Sequence, residues 1–354
     1  MSPHKSPGSS SAVPAPAMRP LFVLSVPRSG STLLYALLNQ HSQIALLYEA
    51  DLPTMQLYLR GRFRSGEWRD RWEFWNQAPS RHGMAIEKLP AHVSDVWDAT
   101  RVVYQAAAQR KHATIWGEKT PQWYHCAMRM ARKFPDASFI FLWRDMQAVM
   151  ASIERAAVTE RLFRKAGFAN RALLGNESLR RACDHLKAQG RPVLEVNYEE
   201  LTSDTSECMR QICKFLGLAF EPGLTTLEGA NLSSITKGQH HATVRSNRIV
   251  GPRKHVHVLS PVIAAKCERY IRFWRKASGG KWPQYPLEIP AGTKPASLTE
   301  RWRDHIMYQS LLFWDKVVVL IYGITPLSLA RLWRHQIRPR VYPRKYSGRA
   351  ATAS

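Results

Sequence analysis

An apolar run that leads directly into a short polar loop and then a helical pattern constrains this chain more than any other feature. The run is LFVLSV at residues 21–26, which suits a buried strand. A helix beginning near Ser31 is indicated by leucines at positions 33, 34, 37 and 38. Backbone N–H groups point outward at such a helix start and the helix dipole favours negative charge, so this unit predicts an anion site.

The connecting loop, PRSGST at residues 27–32, has the chemistry that an anion needs. Gly30 lets the backbone approach a ligand closely, hydroxyl donors follow it, and Arg28 adds a fixed positive charge. The loop lacks the first glycine and the lysine of a Walker A motif, which disfavours a magnesium-dependent nucleotide hydrolase. Taken alone, it also fits a structural turn. The residues predicted to contact the anion are Arg28, Ser29, Gly30, Ser31 and Thr32.

Further strands and helices alternate along the chain. Residues 138–143 (SFIFLW) and 193–197 predict two more buried strands, and helices are expected from Met146 and over 206–215. The Thr120-Pro121 pair predicts a helix start, with that helix running to about residue 134. Alternation of this kind predicts an α/β fold with a parallel central sheet flanked by helices.

The chain also divides by composition. Residues 1–19 are rich in Ser, Pro and Ala without the apolar core of a signal peptide or anchor, and predict a disordered lead. Residues 20–278 predict the main domain, in which 51–113 form a tryptophan-rich helical insert with no convincing strand. Gly and Pro in 279–297 indicate a linker to a helical C-terminal appendage at 298–354.

The appendage leaves two interpretations open. Its apolar stretch at 317–330 contains Pro326 and is short for a membrane span. From Arg331 onward there are seven Lys or Arg residues and no acidic residue. Either the appendage docks on the protein's own core with a disordered tail, or it lies in an anionic membrane interface.

The charge of the chain favours anionic partners. Lys and Arg number 51 against 27 acidic residues, a net charge of +24, which suits nucleic acid, an anionic membrane surface or a phosphorylated ligand without choosing among them. The five cysteines show neither metal-ligand spacing nor an even count, so we expect a reducing, cytoplasmic location and no metal. Positive charges are dispersed and no nucleic-acid recognition motif is present, so nucleic acid is not expected as a partner.

Two motifs lie about 115 residues apart: VPRSGSTLL at residues 26–34 and WRDMQAVMASI at 143–153. Together they resemble the superfamily of sulfotransferases that use 3′-phosphoadenosine 5′-phosphosulfate (PAPS), particularly its bacterial and tyrosylprotein-type branches. The resemblance covers roughly residues 20–275 and implies a fold like that of P-loop NTPases. It implies that the first loop holds the 5′-phosphosulfate and that Arg144 and Ser152 bind the 3′-phosphate. Many members have proline where this chain has Met146.

The resemblance also implies roles for other residues. Glu49 stands where relatives carry a catalytic glutamate, with Asp51 as the nearby alternative. Lys119, within GEKTP at 117–121, is expected to stabilise the sulfuryl group together with Arg28. Contacts to the adenosine and to the phosphates are expected from Tyr198, Arg253 and Lys254.

The predicted function is therefore transfer of a sulfuryl group from PAPS to an acceptor hydroxyl by in-line displacement, with a glutamate base. The acceptor is a carbohydrate, a lipid, a tyrosine or a small molecule. The alternatives are another phosphate-dependent transferase, such as a small-molecule kinase, and a basic protein that binds membrane or nucleic acid.

Overall fold

The central element of the fold is a five-stranded parallel sheet, seen in a computed structural model that describes residues 18–50, 89–121, 126–160, 163, 168–235, 242–251, 258–277 and 289–324. The strand order is β2-β3-β1-β4-β5, and every neighbouring pair is parallel. This confirms the predicted α/β class. The strands are β1 (Arg19–Leu24), β2 (Ile44–Tyr48), β3 (Ile115–Thr120), β4 (Ser138–Trp143) and β5 (Val193–Asn197).

Helices connect the strands and cover both faces of the sheet. Those in the described ranges are α1 (Ser31–Leu38), α2 (Val96–Lys111), α3 (Ala127–Lys133), α4 (Met146–Thr159), α5 (Phe168–Ala188), α6 (Tyr198–Ser203), α7 (Thr205–Leu216), α8 (Ala242–Arg245), α9 (Pro261–Ala277) and α10 (Leu298–Ile324). The predicted helices at Met146 and over 206–215 are confirmed as α4 and α7. Each follows from a local signal: the Asp145 carboxylate caps α4, and Gly217 at a φ of 64° ends α7.

The core explains why β1, β2 and β4 are almost continuously apolar. Along β1, Phe22 and Leu24 pack in one hydrophobic cluster, while Leu21 and Val23 pack in the cluster on the opposite face of the sheet. A strand covered on both faces loses the polar alternation of a half-exposed one. The strand order places β1 in the middle of the sheet. The loop that follows β1 therefore lies at the middle of the edge formed by the carboxyl ends of the strands.

The prediction of a helix start at Thr120-Pro121 is wrong. Thr120 is the last residue of β3, and the next described helix begins at Ala127. The backbone of β3 pairs with both β1 and β2, and these sheet hydrogen bonds outweigh the local preference for a helix cap. Gly117 permits the pairing, because a Cβ atom there would overlap the Leu21 carbonyl.

Several predicted segments fall partly or wholly outside the described residues. These are the N-terminal lead up to residue 17, residues 51–88 of the helical insert, residues 279–288 of the linker and the C-terminal appendage from residue 325. The described remainder of the insert contains α2, capped by the Asp95 carboxylate. Within the described ranges, no helix combines the length and the apolar character that crossing a membrane demands.

Candidate active site

The loop after β1 is built to expose its backbone at the carboxyl edge of the sheet. Arg28 and Gly30 have φ angles of 71° and 93°, and Gly30 caps the N-terminus of α1. The Ser29 hydroxyl donates to the Val26 carbonyl at 2.7 Å, so this serine holds the turn together. A Cβ atom at Gly30 would overlap the ring of Tyr198, which therefore requires glycine at this position.

Arg28 and Arg144, 116 residues apart in sequence, meet at this loop. The Nη1 atom of Arg144 donates to the carbonyl oxygen of Arg28 at 3.0 Å. The Nε atom of Arg28 donates to the Ser152 hydroxyl at 3.1 Å. The guanidinium of Arg144 lies 4.1 Å from the centre of the Tyr198 ring. The structure thus brings together four of the predicted site residues.

The electrostatics of this cluster suit a phosphorylated ligand. Burial, followed by the neighbouring charge of Arg144, lowers the pKa of Arg28, and the Glu160 carboxylate opposes that shift. Among the described residues, the Nε atom of Arg144 is buried without a hydrogen-bond partner. Leaving a charged donor unsatisfied is costly, so an anion beside Arg144 would stabilise the site.

The junction between β4 and α4 places both Arg144 and Ser152 against Arg28. Arg144 follows β4 directly, and the Asp145 side chain accepts a hydrogen bond from Gln147 N at 2.7 Å to start α4. Ser152 lies about two turns into that helix and is almost fully buried. Met146, which replaces the proline of many relatives, is buried in the core at the first position of α4. The departure from the motif therefore leaves the strand-to-helix turn intact.

Glu49 and Lys119 form the second part of the site. The Nζ atom of Lys119 lies 2.7 Å from Oε1 of Glu49. The Lys119 side chain is 0% exposed, whereas that of Glu49 is 34% exposed. The backbone N–H of Glu49 also donates to the Lys119 carbonyl at 2.9 Å, because β2 and β3 are neighbours. The carboxylate thus faces solvent on one side and a buried ammonium on the other.

Tyr48 connects this pair to the loop after β1, and the sequence analysis did not predict it as a site residue. Its hydroxyl is 3.2 Å from the Thr32 hydroxyl, and its ring centre is 3.7 Å from Nζ of Lys119. Burial and then the Glu49 charge raise the pKa of Tyr48, and a hydrogen bond to Glu49 adds to the rise. The signal available in the sequence was a tyrosine directly before the candidate base, at the end of an apolar run.

Of the remaining predicted residues, Tyr198 lies in the described part of the chain and three others do not. The Tyr198 hydroxyl donates to the Val250 carbonyl at 3.2 Å, which ties the first turn of α6 to the segment before residue 252. Arg253 and Lys254 lie outside the described residues, as does Asp51. In the described ranges, no group of three or more His, Cys, Asp or Glu side chains is arranged to hold a metal ion.

The described fold and site are those of an α/β protein whose cationic strand-to-helix loops suit a phosphorylated ligand. The model of the Sulfotransferase family matches residues 20–222, which is more than half of the 354 residues, and the chain belongs to this family.

Two curated relatives are named as acting on tyrosine. Protein-tyrosine sulfotransferase A of Caenorhabditis elegans is 26% identical over 202 residues, covering 57% of this chain and 50% of the relative. Protein-tyrosine sulfotransferase 2 of Gallus gallus is 26% identical over 205 residues, covering 56% and 51%. The chain therefore spans about half the length of these relatives.

Solved sulfotransferase structures are also similar. The sulfotransferase domain from the curacin biosynthetic pathway is 21% identical, covers 83% of this chain and 98% of its own, and has a TM-score of 0.44. Sulfotransferase STF9 from Mycobacterium avium is 15% identical, with coverages of 78% and 79% and a TM-score of 0.41. Mouse sulfotransferase SULT7A1 complexed with PAP is 13% identical, with coverages of 74% and 86% and a TM-score of 0.39.

Proposed function

We propose that this protein transfers the sulfuryl group of PAPS to an acceptor hydroxyl. The observation that carries the proposal is the Lys119–Glu49 pair at 2.7 Å, on the same sheet edge as the cluster of Arg28, Arg144 and Ser152. A cationic anchor beside a lysine-bound carboxylate combines a place for a phosphorylated donor with a base for an acceptor. Membership of the sulfotransferase family supports the same activity.

The anchor provides the means to hold the donor. Arg144 and Ser152 bind the 3′-phosphate, and the unpartnered Nε atom of Arg144 is the donor best suited to it. The start of α1, with Gly30, Ser31 and Thr32, receives the 5′-phosphosulfate through backbone N–H groups and hydroxyls. The Tyr198 ring lies against the adenosine. Arg253 and Lys254 add phosphate contacts.

Glu49 and Lys119 supply the chemistry of transfer. Glu49 takes the proton of the acceptor hydroxyl as that oxygen forms a bond to sulfur, and the bond between sulfur and the bridging phosphate oxygen breaks. The leaving group departs as the nucleotide bisphosphate, and its developing negative charge is stabilised by Lys119 and Arg28. The exposed side of Glu49 lets the acceptor approach from solvent.

Binding of 3′-phosphoadenosine 5′-phosphate (PAP) without magnesium tests the anchor. We expect the protein to bind PAP, and Arg144→Ala to weaken binding about 10- to 100-fold, the loss expected for a charge-assisted hydrogen bond. Ser152→Ala should weaken it about tenfold. Arg132→Ala, which changes an exposed arginine on α3, is the matched control and should have no effect. Absence of PAP binding, or equal affinity in all variants, would refute the proposal.

The acceptor class is a separate proposal. Since the curated relatives are named protein-tyrosine sulfotransferases, we propose a phenolic hydroxyl as the first acceptor to test. Incorporation of labelled sulfate from PAPS into a tyrosine peptide should exceed incorporation into the same peptide with phenylalanine in place of tyrosine. Transfer to a sugar or lipid hydroxyl but not to the tyrosine peptide would reject the phenolic acceptor and keep the sulfotransferase activity.

A further inference from the structure

The helix α10 is held against α9 by a buried carboxylate, Asp304, and by a second ion pair between Arg301 and Glu268 at 2.8 Å. Asp304 is almost fully buried, with Oδ1 2.7 Å from Nζ of Lys266 and Oδ2 2.6 Å from Nε of Arg269, both on α9. Arg269 also donates to Oδ1 of Asn170 on α5 at 2.5 Å. A buried charge that is paired on both oxygens fixes this side of α10 against α9, which leaves the opposite side of the helix outside.

The outer face of α10 carries an apolar stripe. Its members are Leu298, Trp302, Ile306 and Phe313, which are 82%, 70%, 43% and 62% exposed. Their spacings of four, four and seven residues place them on one side of a helix, over a length of about 22 Å. Seven large hydrophobic side chains are exposed in the described part of the chain, and four of them belong to this stripe. Such concentration distinguishes an interaction surface from scattered apolar residues.

We propose that this stripe lies in the interface of an anionic membrane, so that the enzyme binds peripherally to a lipid surface. The charges around it fit this partner. Lys294, four residues before Leu298, and Arg303, next to Trp302 on α10, are both exposed. In the sequence, residues 331–354 contain seven basic residues and no acidic residue. The nearby Glu300 carboxylate is engaged at the helix start by the N–H and hydroxyl of Ser297. Tryptophan and phenylalanine on the apolar face, with basic residues beside it, are typical of interfacial helices.

The same charge argues against a second copy of this chain on the stripe. Each copy carries a formal net charge of +24, so association would bring two strongly positive molecules together. An anionic bilayer instead gains from every basic residue that reaches it. Four apolar side chains and a few cations predict reversible binding that weakens as salt is raised.

Sedimentation of the full-length protein with vesicles tests the proposal. We expect binding to vesicles of phosphatidylcholine with phosphatidylglycerol and little binding to phosphatidylcholine alone. The double variant Trp302→Ser/Phe313→Ser should weaken binding about tenfold or more, because two exposed aromatic anchors are lost. Val158→Ser, at an apolar residue on α4 that is 72% exposed, is the matched control and should bind like the wild type.

Two further measurements make the result decisive. Circular dichroism and PAP affinity should be unchanged in the double variant, since both positions are exposed. Equal vesicle binding of the wild type and the double variant would overturn the proposal, and so would indifference to lipid charge. Sedimentation velocity that shows a dimeric wild type and a monomeric double variant would assign the stripe to contact between copies instead.

Discussion

The ammonium of Lys119 contacts two groups at once: the Glu49 carboxylate at 2.7 Å and the face of the Tyr48 ring, whose centre is 3.7 Å away. The Tyr48 hydroxyl in turn is 3.2 Å from the Thr32 hydroxyl in the loop after β1. Tyr48 therefore lies between the proposed base and the proposed donor site.

Replacement of the proposed base should separate catalysis from binding. Glu49→Gln keeps an oxygen for the Lys119 hydrogen bond but cannot take a proton, so we expect sulfuryl transfer to fall about 10²- to 10⁴-fold. PAP affinity should stay within about twofold, because the anchor is elsewhere. Initial rates with labelled PAPS and a PAP titration measure the two effects. Glu207→Gln, at an exposed carboxylate on α7, is the control, and full turnover in Glu49→Gln would exclude Glu49 as the base.

The hydroxyl of Tyr48 should tune the base without forming part of the anchor. Tyr48→Phe keeps the ring beside Lys119 and removes the hydrogen bonds to Thr32 and Glu49, at a cost of about 1 kcal/mol in the free energy of unfolding. We expect turnover to fall about tenfold, because the Glu49 carboxylate loses a hydrogen bond that helps to orient it. Unchanged turnover with lower stability alone would mean that Tyr48 only packs.

Gly30, in the loop after β1, should tolerate no side chain. Gly30→Ala places a Cβ atom against the Tyr198 ring, at a residue whose φ is 93°. We expect the free energy of unfolding to fall by about 2–3 kcal/mol, and PAP binding to weaken by a similar free energy. Gly229→Ala, at a φ of 79° with open space around it, isolates the backbone effect and should cost about 1 kcal/mol. Urea unfolding measures both. Equal costs would show that the contact with Tyr198 is unimportant.

Buried thiols should make the fold sensitive to alkali. Burial raises the pKa of Cys183, Cys208 and Cys267 to about 12 from the ordinary value of 9.0. Above pH 9 the unfolded chain releases these protons while the folded chain keeps them, so the free energy of unfolding falls as pH rises. Lys111 acts in the opposite direction, because burial lowers its pKa to about 8 from 10.5, and three thiols outweigh one amine.

Urea unfolding at about pH 8, 9 and 10 checks this pH dependence. We expect the free energy of unfolding to decline between the two higher values, and Cys208→Ala to decline less steeply than the wild type. A flat or rising dependence over that interval would show that the thiols ionise in the folded protein.

Prediction from sequence worked best for secondary structure that a local pattern specifies. The loop at residues 27–32 and the segment from Arg144 to Ser152 each lie on a strand-to-helix junction, as predicted, because neighbouring residues specify such junctions. Strands β4 and β5 were visible as apolar runs for the same reason. The prediction failed at Thr120, where the local signal for a helix cap is real but pairing with two neighbouring strands is stronger. Strand β2 was missed, although its residues are apolar, because it closely follows a helix and has no clear turn signal before it.

The sequence by itself determined that this protein is an α/β protein with two cationic loops, because apolar runs and helical spacing are patterns of residues that are close together in the chain. Tertiary structure decided which side chains meet. Glu49 and Lys119 are 70 residues apart, and they pair because β2 and β3 are neighbours with Tyr48 in register with Lys119. The orientation of α10 depends on ion pairs with α9, those of Asp304 with Lys266 and Arg269 and that of Arg301 with Glu268. Strand order and helix orientation depend on packing between distant segments, and local pattern does not encode them.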